Sequence, residues 1–338
     1  MYGRGHPRPF GPMKDLMTVA RERQQVNDAI RQFFRSQAYT EVETPILVRS
    51  PDVSPTLTPF ETEAIEADGT RYPGALITSP EFSMKKLLGS ECDRIFTITK
   101  VFRNREHFGG VHNPEFTMIE WYRQDADYHS GMDETEGVVR AVFEAFGKQL
   151  PAFNRWRIHD LFEKHVGMDL SAAGVTELKK ACETHGIHTD PSDNESDLFY
   201  RLFLDKVEPL LADAPPTFIY DFPLYQAALA AATPDGKYAQ RFELFLGGVE
   251  LCNAFTELTD AVEQRRRFEH EIEERKRIHK SVFPIDEELL SLLPSVRQKT
   301  FGNALGIDRL HMLAAGRASI EDVLLFPAKH LFSPPTNT

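Results

Sequence analysis

The 338-residue chain sets 39 Lys and Arg against 51 Asp and Glu, a net charge of −12, and is 41% hydrophobic. That composition suits one large globular domain or two small ones, and its acidic balance excludes nucleic-acid binding by bulk charge, though not by a local basic patch. Cys92, Cys182 and Cys252 show no CxxC spacing, no apolar run reaches membrane-spanning length, and the N-terminus lacks an apolar signal stretch, so a reducing cytoplasm is expected.

Residues 1–13, rich in Gly, Pro and Arg, read as a loose arm. Leu16, Val19, Val26, Ile30, Phe33 and Phe34 recur at helical spacing and predict a helix over 14–37. Val42 to Val48 reads as extended chain interrupted at Pro45. Strands are expected at 94–103 and 116–124, then a helix at 133–147. The segment 151–215 changes character. Trp156 to His165, Thr176 to His185 and Ser196 to Leu211 are helical by pattern, with Pro and Gly between them, and read as a helical insertion. Strands return at 217–222 and 241–258. Residues 260–280 predict a highly charged helix, where Glu interleaves with Arg265-Arg-Arg267 to make a solvated face rather than a docking patch. Residues 328–338 read as a C-terminal tail. The chain has no internal repeat, P-loop or G-x-S-x-G, so any ATP is held without a Walker motif.

The most informative stretch is 102–122, Phe-Arg-Asn-Arg-Glu-His-Phe-Gly-Gly-Val-His-Asn-Pro-Glu-Phe-Thr-Met-Ile-Glu-Trp-Tyr. A β-rich run ends in Arg103, a Gly-Gly loop follows, and a second strand puts Phe116, Met118, Glu120 and Tyr122 on one face. Such a hairpin offers a guanidinium for a phosphate and a carboxylate-phenol floor for an ammonium. Further on, Gly247-Gly248 predicts a two-residue turn. Phe245 then pairs with Glu250, and Glu243 lies diagonally on the same face. Two carboxylates brought together repel unless a cation joins them, and Mg²⁺ shared with ATP phosphates fits. Strict alternation would turn Asn253, Phe255 and Glu257 away from Glu250, so a bulge between 251 and 253 is required if all serve one site.

The run 102–122 resembles motif 2 of the class II aminoacyl-tRNA synthetases, in particular the lysine-type enzymes. Glu41-Val-Glu-Thr-Pro45 resembles motif 1, and Gly302-Asn-Ala-Leu-Gly-Ile-Asp-Arg309 resembles motif 3. With Thr78-Ser-Pro-Glu81 and Gly247-Gly-Val-Glu-Leu-Cys-Asn-Ala-Phe-Thr-Glu257, five segments match in order between residues 15 and 327. The resemblance implies an α+β catalytic core over 14–327, an antiparallel sheet flanked by helices, and a motif 1 homodimer around Pro45. It implies that a carboxylate attacks the α-phosphorus of ATP to give an acyl-adenylate, with Arg103 on the α-phosphate and Arg309 on the far phosphates. Asn104, Arg105, His112, Asn113, Glu250, Leu251 and Gly306 would line the ATP site, and Glu243 and Glu250 would hold Mg²⁺. His112 could equally do no more than satisfy its turn. Ser79, Pro80, Glu81, Glu120, Tyr122, Asn253, Phe255, Glu257 and Ala304 would form the amino-acid pocket. Its acids call for a diamino acid, lysine or (R)-β-lysine.

Lysyl-tRNA synthetases carry an anticodon-binding domain ahead of motif 1, and here motif 1 begins near residue 39. A catalytic core alone resembles the synthetase-like family that transfers an activated lysine isomer to a lysine of elongation factor P, a protein shaped like tRNA. Ala304, where tRNA-charging enzymes carry Gly, agrees with that branch. Arg105 and Ala254 depart from the family's usual Glu and Gly, beside expected ligand contacts. Two other readings stay open: a truncated core charging tRNA, and a non-catalytic amino-acid-binding regulator. The second would be expected to lose Arg103, Glu243, Glu250 or Arg309, and all four are present.

Overall fold

A computed structural model describes residues 15–90, 92–227 and 229–332. The expected arm at 1–13 and residues 333–338 of the tail lie outside them. Helix α1 (Leu16–Ser36) starts at Asp15, whose carboxylate accepts from the Met17 amide. It buries Val19, Val26, Ile30 and Phe34 on one stripe. Short strands β1 (Thr40–Glu41) and β2 (Leu47–Val48) follow, then the hairpin β3 (Glu61–Ile65) and β4 (Arg71–Leu76), and helix α2 (Glu81–Leu88). The long strands β5 (Arg94–Phe102) and β6 (Glu115–Gln124) lead into α3 (Tyr128–Ala145), which is capped reciprocally by Asp127 and Ser130.

The 151–215 segment is not wholly helical. It opens with β7 (Asn154–Arg157), an edge strand running parallel to β8 (Thr217–Pro223), so the helix expected from Trp156 begins only at Ile158. Helices α4 (Ile158–His165), α5 (Val175–Thr184) and α6 (Glu195–Leu202) then bury Phe162, Leu178, Cys182, Leu198 and Phe199 against Ile219 and Phe222. Strands β9 (Tyr238–Leu246) and β10 (Val249–Thr256), helices α7 (Ala261–Arg277) and α8 (Glu287–Leu292), strand β11 (Thr300–Gly306), and helices α9 (Ile307–Ala315) and α10 (Ala328–Leu331) complete the chain. The expected tail thus begins with a short helix, and the Ala328 amide donates to Asn113 Oδ1 at 2.9 Å.

The main sheet has the order β1-β5-β6-β11-β10-β9-β8-β7, antiparallel except for the parallel pairs at its two edges. A small sheet, β2-β4-β3, stands beside it. The α+β expectation holds. Strand alternation gives the sheet two faces. Ile119 and Trp121 of β6 point into a core with Val26, Ile30 and Phe34 of α1 and Val138 and Val142 of α3. The Phe34 ring sits 5.1 Å from both Phe96 and Trp121. The opposite face carries the chemistry. Among the described residues no helix is long and apolar enough to cross a membrane.

Candidate active site

Glycine chemistry at one turn fixes much of the site. Gly247 and Gly248 both have left-handed backbones (φ 57° and 76°), which gives the tight hairpin turn that glycine allows. The register Leu246↔Val249 and Glu250↔Phe245 follows as expected. The required bulge is present one position earlier than predicted, at Leu251, between Glu250 and Cys252. It brings Asn253 opposite Glu243, so Glu250, Asn253 and Phe255 all reach one cavity. Cys252 and Ala254 turn into the core instead. The Ala254 departure therefore lies away from the ligand site, and Cys252 serves packing.

The cavity, of about 390 Å³, is floored by Phe116, Met118, Glu120 and Tyr122, the four residues alternation had placed on one face of β6. At one end stand two guanidiniums. Arg103 follows β5, reaches the Thr78 carbonyl at 3.4 Å, and lies 5.2 Å over the Phe116 ring. Arg309, on the first turn of α9, donates to the Val111 carbonyl at 3.1 Å and the Glu250 carbonyl at 2.8 Å. Neither has a salt-bridge partner among the described residues, so both keep charge for a ligand. Burial lowers the Arg103 pKa, which leaves it charged at any working pH. His112 lines the cavity and meets Glu106 at 3.2 Å, which satisfies its turn and leaves it at the wall. Asn113, Leu251 and Gly306 also line it. Asn104 and Arg105 do not: both are exposed, and Arg105 has a positive φ (61°). They stand off the cavity wall in this structure.

At the other end the acids gather. Glu120 accepts from Tyr122 Oη at 2.6 Å and Ser79 Oγ at 2.8 Å. Lys85, one helical turn after Glu81, lies 2.6 Å from Glu81 and 2.5 Å from Glu257. Lys85 is only 2% exposed. Its i, i+4 spacing from Glu81 was a legible signal that sequence reasoning passed over. Burial works against its charge, but Glu257 and Glu81 more than offset this and hold the ammonium above its usual range. Glu81 and Glu257 share that one cation with Glu120 close by, so the cluster titrates high. Burial, then Glu81, pushes Glu120 up to about 8, and burial raises Glu81 and Glu257.

Glu257 sits beneath the floor rather than on the cavity wall. Gly302 explains how: a Cβ there would come within 2.0 Å of the Glu257 carboxylate and 2.5 Å of the Tyr122 ring. The missing side chain makes room for those groups. Pro80 is likewise buried behind the wall, at the start of α2. Ala304 lines the cavity directly opposite Glu120 on the neighbouring strand.

Glu243, expected as a metal ligand, is ion-paired in this structure. It is 5% exposed, and the cation beside it is Arg241, at 2.6 Å. Burial and the nearby Glu250 hold its pKa up to about 8, against the pull of Arg241. Glu250 lines the cavity near Arg103 and its carboxylate makes no hydrogen bond among the described residues. A divalent cation beside bound phosphates therefore fits Glu250 as its protein ligand, with Glu243 behind it. Sequence reasoning also missed Asp52, Arg241 and Glu271 on the cavity wall. The Arg265–Arg267 triplet is ion-paired, to Glu287 and Glu263, as expected of a solvated face.

Replacing Lys85 by methionine tests the buried cluster. Its acids have folded pKa values above the unfolded ones, so ionisation costs stability increasingly as pH rises from about 4.5 through the folded values. Lys85 offsets that cost. The expected loss for Lys85→Met is about 3–5 kcal/mol at pH 8 and clearly less at pH 5, read by urea denaturation. An equal loss at both values would contradict the assignment.

Residues 13–330 match the family model of tRNA synthetases class II (D, K and N). The chain is 37% identical over 323 residues to an elongation factor P–(R)-β-lysine ligase of Haemophilus influenzae (strain PittGG), covering 95% of this chain and 97% of that one. It is 38% identical over 301 residues to the similarly named ligase of Salmonella paratyphi B, covering 88% and 91%.

Proposed function

The chain belongs to the class II tRNA synthetases of the D, K and N group, and from that premise we propose an ATP-dependent ligase that activates lysine, with (R)-β-lysine preferred, and transfers it to a lysine of elongation factor P. The observation that carries this reading is one cavity holding, at one end, two guanidiniums with no carboxylate partner among the described residues and, at the other, Glu81 and Glu120 with Glu257 beneath them. The floor suits two ammonium groups of one ligand. The guanidiniums suit ATP phosphates. Between them the ligand carboxylate is held against the α-phosphorus, and its oxygen attacks as pyrophosphate leaves. Arg103 neutralises charge developing on the α-phosphate, and Arg309 that on the leaving phosphates. Mg²⁺ held by Glu250, with Glu243 behind it, would neutralise the phosphates further.

The named relatives support this acceptor, and Ala304 bears on which lysine isomer is used. Its methyl stands opposite Glu120, where it reshapes the floor by one carbon. A methyl in a packed pocket shifts selectivity by about 1–3 kcal/mol. The variant Ala304→Gly should therefore raise α-lysine use relative to (R)-β-lysine by about 5- to 100-fold in pyrophosphate exchange, and an unchanged ratio would remove Ala304 as a discriminator. The deciding experiment is the intact mass of elongation factor P after incubation with the enzyme, ATP and each lysine isomer. A lysine-sized increase is expected, larger with (R)-β-lysine. Efficient tRNA charging without protein modification would overturn the reading, and binding without pyrophosphate release would point to a regulator.

The assembly proposed is a two-fold homodimer. Ile46 and Leu47, beside Pro45, are 39% and 43% exposed, and Ile65 and Tyr72 of the same small sheet are 55% and 50% exposed. Light scattering at micromolar concentration should give twice the chain mass; a monomer would contradict the proposal.

A further inference from the structure

The transfer half of the proposed reaction has a requirement that adenylation lacks. A lysine side chain enters as an ammonium, with a usual pKa near ~10.4, and has no lone pair to attack with. Something in the cavity must take its proton. Most cavity acids are already engaged. Glu120 accepts from Tyr122 and Ser79, and Glu81 holds Lys85. Glu106 meets His112, and Asp308 accepts from the Thr117 amide and pairs with Arg23. Asp52 accepts from the Ser54 amide. Glu250 stands at the phosphate end, near Arg103.

Glu271 is different. It lies on α7, lines the same cavity on the side of Asp52 and Glu81, and makes no hydrogen bond or ion pair among the described residues. It is only partly buried, whereas Glu120 and Glu257 are sealed in at 1% and 2% exposure. Glu271 is thus more open than those two to a side chain presented by a macromolecule. The charged groups around it are Asp52 from the 52–57 loop, Glu81 from α2, and Arg267 and Arg275 from its own helix. Burial, then Asp52, pushes its pKa up to about 8 against the pull of Arg267. A carboxylate so placed is a stronger base than one in water.

We propose that Glu271 is the general base of acyl transfer. Its carboxylate takes one proton from the acceptor ammonium and frees the nitrogen lone pair. That pair forms the C–N bond to the acyl carbonyl. The C–O bond to the α-phosphate breaks, AMP leaves with the bonding pair, and the nitrogen's second departing proton goes to water as the amide forms. The role rests on the ligase reading above.

Three rates on Glu271→Gln test it: lysine-dependent pyrophosphate exchange, transfer to elongation factor P, and hydroxamate formation with hydroxylamine. Hydroxylamine is neutral near pH 7 and attacks the adenylate without a base. The ratio of protein transfer to exchange should fall about 10²- to 10³-fold, while the ratio of hydroxamate to exchange should stay within about threefold of wild type. The acid limb of the transfer rate near pH 8 should vanish, leaving a rate that climbs with pH as the amine deprotonates unaided. Glu271→Asp, which keeps the carboxylate, should keep that limb at reduced rate and decides the matter if the Gln variant does not fold. Transfer and hydroxamate falling together, or protein transfer per exchange in the Gln variant within threefold of wild type, would overturn the role. A wild-type chain that forms adenylate and never modifies elongation factor P would instead overturn the choice of acceptor, and the Glu271 role with it.

Discussion

Arg103→Ala abolishes lysine-dependent exchange of pyrophosphate into ATP, a loss of about 10³-fold or more, with the circular dichroism spectrum unchanged. The expectation comes from how little the fold asks of this side chain. Its guanidinium makes one long hydrogen bond, 3.4 Å to the Thr78 carbonyl, and a ring contact with Phe116. It has no carboxylate partner among the described residues, yet it stands in a cavity with Arg309 on a neighbouring wall. Two neighbouring cations that no carboxylate pairs directly among the described residues are ready for an anion to join them. The loss should fall on kcat, because charge grows on the α-phosphate chiefly in the transition state. Exchange at the wild-type rate in this variant would end the assignment of Arg103 to the phosphate.

Glu120→Gln is the second large effect, and it carries a pH signature. The clustered acids titrate high, with Glu120 pushed up to about 8 by burial and by Glu81. Substrate ammonium binds the ionised floor. Below pH 8 a proton must leave before the ligand enters, so wild-type affinity for lysine should rise with pH from 6 to 8 and then level. The sign follows from the raised carboxylate pKa: protonated below it, binding-competent above it. The Gln variant should raise the KM for lysine by about 10²-fold at pH 8 and flatten the slope, with the KM for ATP little changed. A KM rise shared equally by both substrates would indicate general damage to the cavity instead.

The sequence by itself determined a good deal. Period-two alternation placed Phe116, Met118, Glu120 and Tyr122 on one face, and the face carries the cavity. Two adjacent glycines fixed the β9–β10 turn and its register. If Glu250 and Asn253 were to share one site, as the resemblance implies, alternation required a bulge between 251 and 253, and the fold supplies one at Leu251. These are local rules, in which neighbours in the chain decide. Matching segments also made the class II architecture legible before any packing was known.

Tertiary structure decided what local rules do not reach. Which cation meets which buried carboxylate depends on side chains from separate strands and helices. Lys85 joins Glu257, far along the chain, and Arg241 pairs with Glu243. Gly302 proved to be room for Tyr122 and Glu257, a fact visible only once β6, β10 and β11 lie side by side. Asn104 and Arg105 lie within the motif 2 segment, yet both side chains are exposed rather than on the cavity wall. The strand Asn154–Arg157 hid inside a helical pattern because it is short and earns its place by pairing with β8. Burial is the common cause. It sets the desolvation cost of every charge, and therefore which acids pair, which hold protons, and which remain free to act.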